Sequence, residues 1–411
     1  MATHEVDHLL IGGGLASANC ARWLREEGAD GSIMLVGREL DPPYNRPPLS
    51  KGYLRGEETK DDALFRPAEW WVEQRIELLT RTSVMKLDAE ARVATLSNKD
   101  EVKFGKALLA TGANVRRLRV EGGDLDGIHY LRAFGNSDSI RDDVKDAKHV
   151  VLVGGSYIGC ECASSITAAF GVKCTIVMQE KETFDHQFGS EVGGYFHRLL
   201  NEHGIEIHGS DELDRFEGAD GKVTHVHTKG GLEIDCDAVI IGAGVMPDVM
   251  LARQAGLELG ESGGVKCSSR LEASVPGIYA AGDICEYDSV VHGRRLRVEH
   301  WDVAFNQGKT AALNMLGRDV AHEEIPYFFS DMADWASMEY VGPGSGEPVI
   351  RGSMDDGDFT AFYVGGDDGV VTAALTVGRS DDLEHARRFI RDKVAPDRAA
   401  LADVESDLAS L

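Results

Sequence analysis

Two glycine-bearing turns announce the most chemistry that residue type and spacing alone can carry. The first, Gly12-Gly13-Gly14-Leu15-Ala16-Ser17, fits a G-x-G-x-x-small pattern. Gly12 allows a tight turn, Gly14 lets a phosphate approach the backbone, and Ser17 is small enough for close helix packing. The second, Gly154-Gly155-Ser156-Tyr157-Ile158-Gly159, keeps the outer glycines but carries Ser156 in the middle, which shifts how closely a pyrophosphate can sit. A turn of this kind at the mouth of a helix aims backbone N–H groups and the positive end of the helix dipole at an anion. Either motif alone could be an ordinary glycine turn, so the flanking elements decide.

Those elements have the required order. Residues 6–11 read as a short buried strand running into the first turn, residues 18–27 have helical apolar spacing that stops at Gly28, and residues 32–36 form a second strand. The same grammar returns about 140 residues later, with a strand over 149–153, a helix through Phe170-Gly171 and a strand over 173–177. Two such units imply two nucleotides. An acid at the end of the second strand usually holds an adenosine ribose. Glu39 is the candidate in the first unit, or else a solvated loop carboxylate. Glu180 is the candidate in the second, or else an exposed charge beside Lys181. No arginine stands in that second turn, and a carboxylate there repels a 2′-phosphate, which favours NADH over NADPH.

Apolar strands ending in glycine turns follow each unit. One runs into Ala110-Thr111-Gly112 and another into Gly242-Ala243-Gly244. A third, over 277–283, ends at Asp283 ahead of a helical stretch over about 302–316. From Glu323 the texture changes. Strand-like runs over 337–341, 348–351, 359–364 and 370–375 are divided by turns such as Gly365-Gly366-Asp367-Asp368-Gly369, and a helix over 381–393 follows. This reads as a separate α+β domain without a nucleotide loop.

The whole chain, 411 residues with 69 Asp+Glu against 43 Lys+Arg, carries a formal charge of −26. That balance argues against nonspecific nucleic-acid binding, because a polyanion needs a compensating basic surface. No run approaches the roughly 20 apolar residues of a membrane span, and Met1-Ala2-Thr3-His4-Glu5 has no basic region leading into an apolar stretch. A cytoplasmic location is the expectation. The seven cysteines, Cys20, Cys160, Cys162, Cys174, Cys236, Cys267 and Cys285, are an odd, scattered set that reads as buried structural thiols. They suggest neither a disulfide framework nor a metal site.

Several longer motifs carry a family resemblance. They are Pro43-Tyr44-Asn45-Arg46-Pro47-Pro48-Leu49-Ser50-Lys51, Ala110-Thr111-Gly112, Tyr279-Ala280-Ala281-Gly282-Asp283 and Pro326-Tyr327-Phe328-Phe329-Ser330-Asp331. The chain resembles the FAD-dependent pyridine-nucleotide reductases, in the branch of oxygenase-coupled ferredoxin reductases, rubredoxin reductases and apoptosis-inducing factor. The landmarks run from Gly12 to Asp331, and the C-terminal segment is similar to that family's interface domain. The resemblance implies that the first glycine turn and Glu39 form the FAD adenosine site, that Arg46 contacts FAD, and that Asp283 bonds the ribityl and pyrophosphate region, with a helix N-cap as its compatible alternative. It implies that Lys51 lies beside the flavin and Glu161 faces it, the cation stabilising reduced flavin and the acid keeping the lysine charged. Trp301 then packs on the isoalloxazine or nicotinamide, or else in the core. Phe329 stands where many relatives carry tryptophan, near the nicotinamide side of the flavin. No cysteine occurs between Cys20 and Cys160, so the segment after Lys51 lacks the C-x-x-x-x-C of the disulfide reductases, and electrons should leave directly from the flavin.

The expected fold is α/β, with two Rossmann-like nucleotide-binding domains of the glutathione reductase-like kind and a C-terminal α+β interface domain. The expected division is an FAD domain over 1–115 and 246–322, an NAD domain over 116–245 and the interface domain over 323–411. The implied function is an NADH:ferredoxin or NADH:rubredoxin reductase with FAD and NADH as cofactors and no metal, feeding single electrons to an iron–sulfur protein that serves an oxygenase. Two alternatives stand beside it: a reductase of a small molecule of monodehydroascorbate or quinone type, and a redox-gated binding protein like apoptosis-inducing factor. A homodimer is open. Because ferredoxins are usually acidic, a basic docking face is needed, for which Arg116, Arg117, Arg119, Arg294, Arg295 and Arg297 are candidates, or else ordinary solvated charges.

Overall fold

A computed structural model describes residues 2–344, 346–366 and 368–411. Met1 of the N-terminal segment and Asp367 of the turn expected at 365–369 lie outside the described residues. The chain divides into two compact units. The first comprises Met1–Asn45, Asp61–Asn114 and Met246–Tyr327, and the second Arg46–Lys60, Val115–Val245 and Phe328–Leu411.

In the first unit the strand Thr3–Ile11 lies at the centre of a sheet whose order is Ile76–Leu79, Ile33–Val36, Thr3–Ile11, Glu101–Leu109, Val93–Leu96, Val84–Asp88. Ile278–Ala280 also pairs with Glu101–Leu109. The pairings of Thr3–Ile11 are parallel, with Leu9 opposite Met34 on one side and Ala107 on the other. Leu9, Leu10 and Ile11 are all buried, which is why this strand is a continuous apolar run and does not alternate. The helix Leu15–Glu26 follows, starting three residues ahead of the expected helix because the glycine turn leads straight into it. It packs on the helix Trp301–Met315 at very short range: a Cβ on Gly308 would fall 2.5 Å from the Ala16 carbonyl oxygen.

The second unit repeats the plan. Its parallel sheet runs Glu206–His208, Lys173–Val177, His149–Val153, Ala238–Ile241, Ile128–His129. The helix Tyr157–Phe170 joins the two central strands and ends on Gly171, whose left-handed backbone closes it. A three-stranded antiparallel sheet, Leu213–Ala219, Lys222–Thr228 and Glu233–Asp235, is added to it. The C-terminal part is a sheet in the order Tyr327–Met332, Ala336–Val341, Val370–Val377, Asp358–Gly365, Glu347–Ser353, with the helix Asp382–Asp392 against it. The four strands expected in this part are present and one or more residues longer than their apolar runs, and Tyr327–Met332 adds a fifth that was not expected.

Two segments depart from the expected division: Phe328–Leu411, expected as a separate interface domain, groups with Val115–Val245 in the second unit, and residues 46–60, read from sequence as part of the first domain, join them. Ser137 Oγ donates to the Leu49 carbonyl at 2.8 Å, Ser165 Oγ to the Ser50 carbonyl at 2.7 Å, and Tyr53 OH to Asp138 at 2.5 Å. These long-range bonds to two helices outweigh chain continuity. All seven cysteines are free and buried. Burial pushes the Cys174 and Cys236 thiols up to about 12, away from thiolate reactivity. Among the described residues no helix is long and apolar enough to cross a membrane, and no group of three or more His, Cys, Asp or Glu is arranged to hold a metal ion.

Candidate active site

The first glycine turn is dictated by two carbonyls. Gly12 has φ +121°, and a Cβ there would lie 2.1 Å from the Ala110 carbonyl oxygen, so only glycine fits. The Gly12 N–H donates to the Val36 carbonyl at 2.8 Å, and the Ala110 N–H to the Ile11 carbonyl at 2.8 Å. Gly14 is different. Its backbone, φ −93° and ψ −177°, is open to any residue, and a Cβ would meet nothing within 4 Å. Neither strain nor packing asks for glycine there, so the bare backbone leaves room for something outside the polypeptide. The helix Leu15–Glu26 has no side-chain cap, and its first N–H groups stay available to an anion.

Around that helix mouth, Ser17 Oγ and Gln307 Nε2 are buried without a hydrogen-bond partner among the described residues. Gln307 Oε1 accepts from the Gly282 N–H at 2.8 Å, which ties it to the turn Gly282–Ile284 that contains Asp283. Buried polar atoms are rarely left unpaired, so these two fit the polar edge of a dinucleotide lying across the turn. Glu39 accepts a hydrogen bond from Tyr44 OH at 2.6 Å, which orients its carboxylate. Thr111 Oγ1 donates to the Asp248 carbonyl at 2.6 Å, and Gly112, with φ +70°, accepts from the Asp248 N–H. Trp301 donates its indole N–H to Asn45 Oδ1 at 3.0 Å and stacks on Phe305 at 5.2 Å and 10°. The Asp283 carbonyl accepts from Arg297 at 3.0 Å.

The second turn solves the same problem with other atoms. Gly154, at φ +111°, would place a Cβ 2.5 Å from the Gly242 carbonyl oxygen, and a Cβ on Gly159 would fall 1.9 Å from the Gly154 carbonyl oxygen. Gly242 closes the packing from the other side, where a Cβ would come within 3.2 Å of the Gly159 nitrogen, whereas Gly244, at φ +83°, has open space. Ser156 Oγ accepts from Gln187 Nε2 at 3.0 Å. The helix Tyr157–Phe170 again lacks a side-chain cap. Glu180 stands exposed just past the strand Lys173–Val177, and its carbonyl accepts from the Ser210 N–H at 2.8 Å.

The second unit also brings together residues far apart in sequence. Lys51 Nζ is 2.6 Å from Glu161 Oε1, with the two side chains 9% and 7% exposed. Ser330 Oγ donates to the same Oε1 at 2.5 Å, and Ser50 Oγ donates to Oε2 at 2.5 Å. A buried ion pair tolerates desolvation only when its remaining lone pairs are satisfied, and the two serines do that. Sequence reasoning found Lys51 and Glu161 by resemblance and missed Ser50 and Ser330, since no spacing rule links positions 50, 161 and 330. Both serines do lie inside the motifs that carry the family resemblance, Ser330 in the 326–331 segment and Ser50 in the 43–51 segment. Arg46, from the same segment, donates to the Arg132 carbonyl. Phe329 is 38% exposed, between the buried Phe328 and Ser330.

Of the candidate docking arginines, Arg295 pairs with Asp288 at 2.7 Å and donates to the Cys267 and Glu286 carbonyls, and Arg297 pairs with Glu299. These two partly exposed arginines brace their own strand region. Arg116, Arg117 and Arg119 are exposed.

Two glycine turns on parallel sheets, each feeding an uncapped helix, offer places for two dinucleotides, and the second unit adds a buried lysine–carboxylate pair. Residues 6–308 match the family described as pyridine nucleotide-disulphide oxidoreductase, and residues 327–411 match the family described as reductase C-terminal. The chain belongs to the pyridine nucleotide-disulphide oxidoreductase family. It is 33% identical over 400 residues, 96% of each chain, to the ferredoxin–NAD(+) reductase component of the anthranilate 1,2-dioxygenase system of Burkholderia cepacia. Its fold superposes on the ferredoxin reductase for the CYP199A2 system from Rhodopseudomonas palustris with TM-score 0.93 and 30% identity, covering 100% of this chain and 99% of that one. It superposes on a chain of the covalent putidaredoxin reductase–putidaredoxin complex with TM-score 0.92 and 29% identity, covering 100% and 98%. The protein is an FAD-dependent NAD(P)H oxidoreductase of the ferredoxin reductase type.

Proposed function

We propose that the chain takes reducing equivalents from NADH and releases them one at a time to a small iron–sulfur protein. The buried Lys51–Glu161 pair, 2.6 Å apart, carries this reading, because a protonated lysine held at a flavin stabilises its electron-rich reduced form. Bound FAD supplies the exchange between two-electron nicotinamide chemistry and one-electron iron–sulfur chemistry. The polypeptide supplies position and charge. We assign FAD to residues 1–115 and 246–322, NADH to 116–245 and an interface role to 323–411.

On this assignment the N–H groups after Gly14, with Ser17 and Gln307, receive the FAD pyrophosphate, and Glu39, oriented by Tyr44, takes the adenosine ribose. Arg46, Asp283 and the Ala110-Thr111-Gly112 turn line the rest of that cofactor, with Trp301 and Phe329 assigned to its ring. The helix mouth at Ser156 and the Gly242-Ala243-Gly244 turn receive the NADH pyrophosphate. Glu180 accepts from ribose hydroxyls and repels a 2′-phosphate. Electrons leave without a thiol relay, since every cysteine is buried. Seven reduced thiols also suit a cytoplasmic protein. The names of the relatives, which pair reductases with ferredoxins, support an iron–sulfur acceptor.

The test is anaerobic reduction of the FAD-loaded protein by one equivalent of NADH, followed by mixing with oxidised [2Fe–2S] ferredoxin, rubredoxin or a small quinone while flavin absorbance is followed. Fast recovery with one iron–sulfur protein is expected, with NADPH at least about tenfold poorer than NADH as the initial reductant. A flavin that stays reduced with both carriers yet reoxidises with the quinone would overturn the proposal in favour of a small-molecule reductase.

A further inference from the structure

The Glu161 carboxylate is held from more directions than an ion pair alone requires. Oε1 receives both Lys51 Nζ, at 2.6 Å, and Ser330 Oγ, at 2.5 Å, while Oε2 receives Ser50 Oγ at 2.5 Å. An ammonium is a compact charge with rotatable donors, so it sets the distance to a carboxylate but not the carboxylate's plane. The hydroxyls supply that missing restraint, one on each oxygen. Hydrogen bonds to an ionised acceptor are also the strong ones.

Ser330 is distinctive among these donors because of what holds it. Along the strand Tyr327–Met332, Phe328 and Ser330 are buried and Phe329 is exposed. Phe328 meets Tyr157 edge-on at 4.9 Å. It lies further on Phe188 at 6.3 Å and Tyr340 at 5.4 Å, so the strand is anchored by an aromatic cluster. Tyr157 opens the helix that carries Glu161 one turn later. Two strand residues span roughly 6.6 Å, and four helical residues rise about 6 Å. The spacing of Phe328 and Ser330 therefore matches that of Tyr157 and Glu161, and the strand grips the helix at two points in register: ring on ring, then hydroxyl on carboxylate.

We propose that Ser330 is a positioning residue for the reaction, its hydroxyl fixing the plane of the Glu161 carboxylate and through it the ammonium of Lys51. This rests on the proposed flavin-side role of Lys51. The C-terminal strand thereby takes part in the chemistry. Losing the hydroxyl leaves Lys51 attracted but not aimed.

The experiment compares FAD-loaded wild type with Ser330→Ala, Ser330→Thr and Ser330→Cys. For Ser330→Ala the limiting rate of anaerobic flavin bleaching by NADH falls about tenfold, with the NADH concentration for half-maximal rate changed less than twofold. The visible band of the oxidised bound flavin shifts. The equilibrium preference for reduced flavin falls about tenfold, which is about 30 mV for a two-electron couple. Ser330→Thr keeps the hydroxyl and restores all three readouts to within about twofold. Ser330→Cys, a weak donor of similar volume, falls between them and serves where the alanine variant does not fold. A Ser330→Ala protein with wild-type potential and spectrum overturns the inference. So do alanine and threonine variants impaired alike, which would make the effect one of packing. A wild-type protein whose flavin NADH does not bleach overturns the proposed function instead, before any variant is compared.

Discussion

The two glycine turns share a pattern and differ in what each position is for. In the first, the outer glycine is fixed by a carbonyl 2.1 Å from where its Cβ would be, the middle glycine faces open space, and the third position accepts a serine. In the second, the third position is the crowded one, at 1.9 Å, and the middle position carries a serine whose hydroxyl is already engaged by Gln187. Glycine in such a turn thus answers to two separate demands, the path of the backbone and the approach of a ligand. The first turn spends its spare space on the ligand, while the second spends it on helix-to-strand packing.

The largest effects should come from the crowded positions. Gly12→Ala meets both a left-handed φ and a backbone oxygen and should cost about 3 kcal/mol or more. The variant should be purified without FAD. Gly159→Ala should retain FAD yet lose NADH-driven bleaching by at least about a hundredfold, the flavin spectrum and stopped-flow rates being the measurements. A Gly159→Ala protein that loses FAD while still binding NADH would reverse the assignment of the two turns.

Next in size is an acid response that separates the two units. Burial holds His300 and His322, both in the first unit, down to about 4. Each stays neutral in the folded chain while the unfolded chain protonates near 6.5, so stability is complete above pH 6.5 and is lost as the pH falls toward 4. The loss is on the order of 3 kcal/mol for each group by pH 4. His292, in the same unit, is also held down to about 4 by burial. In the second unit burial lowers the half-buried His149 as well. Hydrogen exchange between pH 7 and 4.5 should therefore show amides of the first unit losing protection before those of the second. Equal loss in both would remove the distinction.

The smallest effects belong to the middle positions, and they sharpen the comparison most. Gly14→Ala meets no protein atom, so the apoprotein should melt within about a degree of wild type while FAD affinity drops roughly tenfold, the signature of a residue that answers only to its ligand. Ser156→Ala removes one side-chain hydrogen bond. It should cost about 1 kcal/mol and change the NADH requirement only a few-fold. Calorimetry of the apoprotein with FAD titration distinguishes the two, and a destabilised Gly14→Ala apoprotein would show that the space at Gly14 is not reserved for a ligand.

Both βαβ units could be read from sequence because their signals are local. Buried parallel strands are continuous apolar runs, and a glycine that must adopt a positive φ announces its turn. Four of the five strands of the C-terminal sheet were visible for the same reason, while Tyr327–Met332 was not read as a strand. The grouping of residues 46–60 was not, since it depends on hydroxyls at Ser137 and Ser165 reaching carbonyls more than eighty residues away. Nor could the sequence show that Arg295 and Arg297 are tied to their own neighbourhood while Arg116, Arg117 and Arg119 stand exposed.

What the sequence by itself determined is which nucleotide-binding turns are present, in what order, and what each strand and helix is made of, because φ preference, side-chain size and apolar periodicity act within a few residues. Only the tertiary structure decided that Lys51, Ser50, Glu161 and Ser330 converge on one carboxylate. Convergence is a matter of packing between segments more than a hundred residues apart, and a hydroxyl becomes a positioning group only when another element of the fold holds it against the charge it serves.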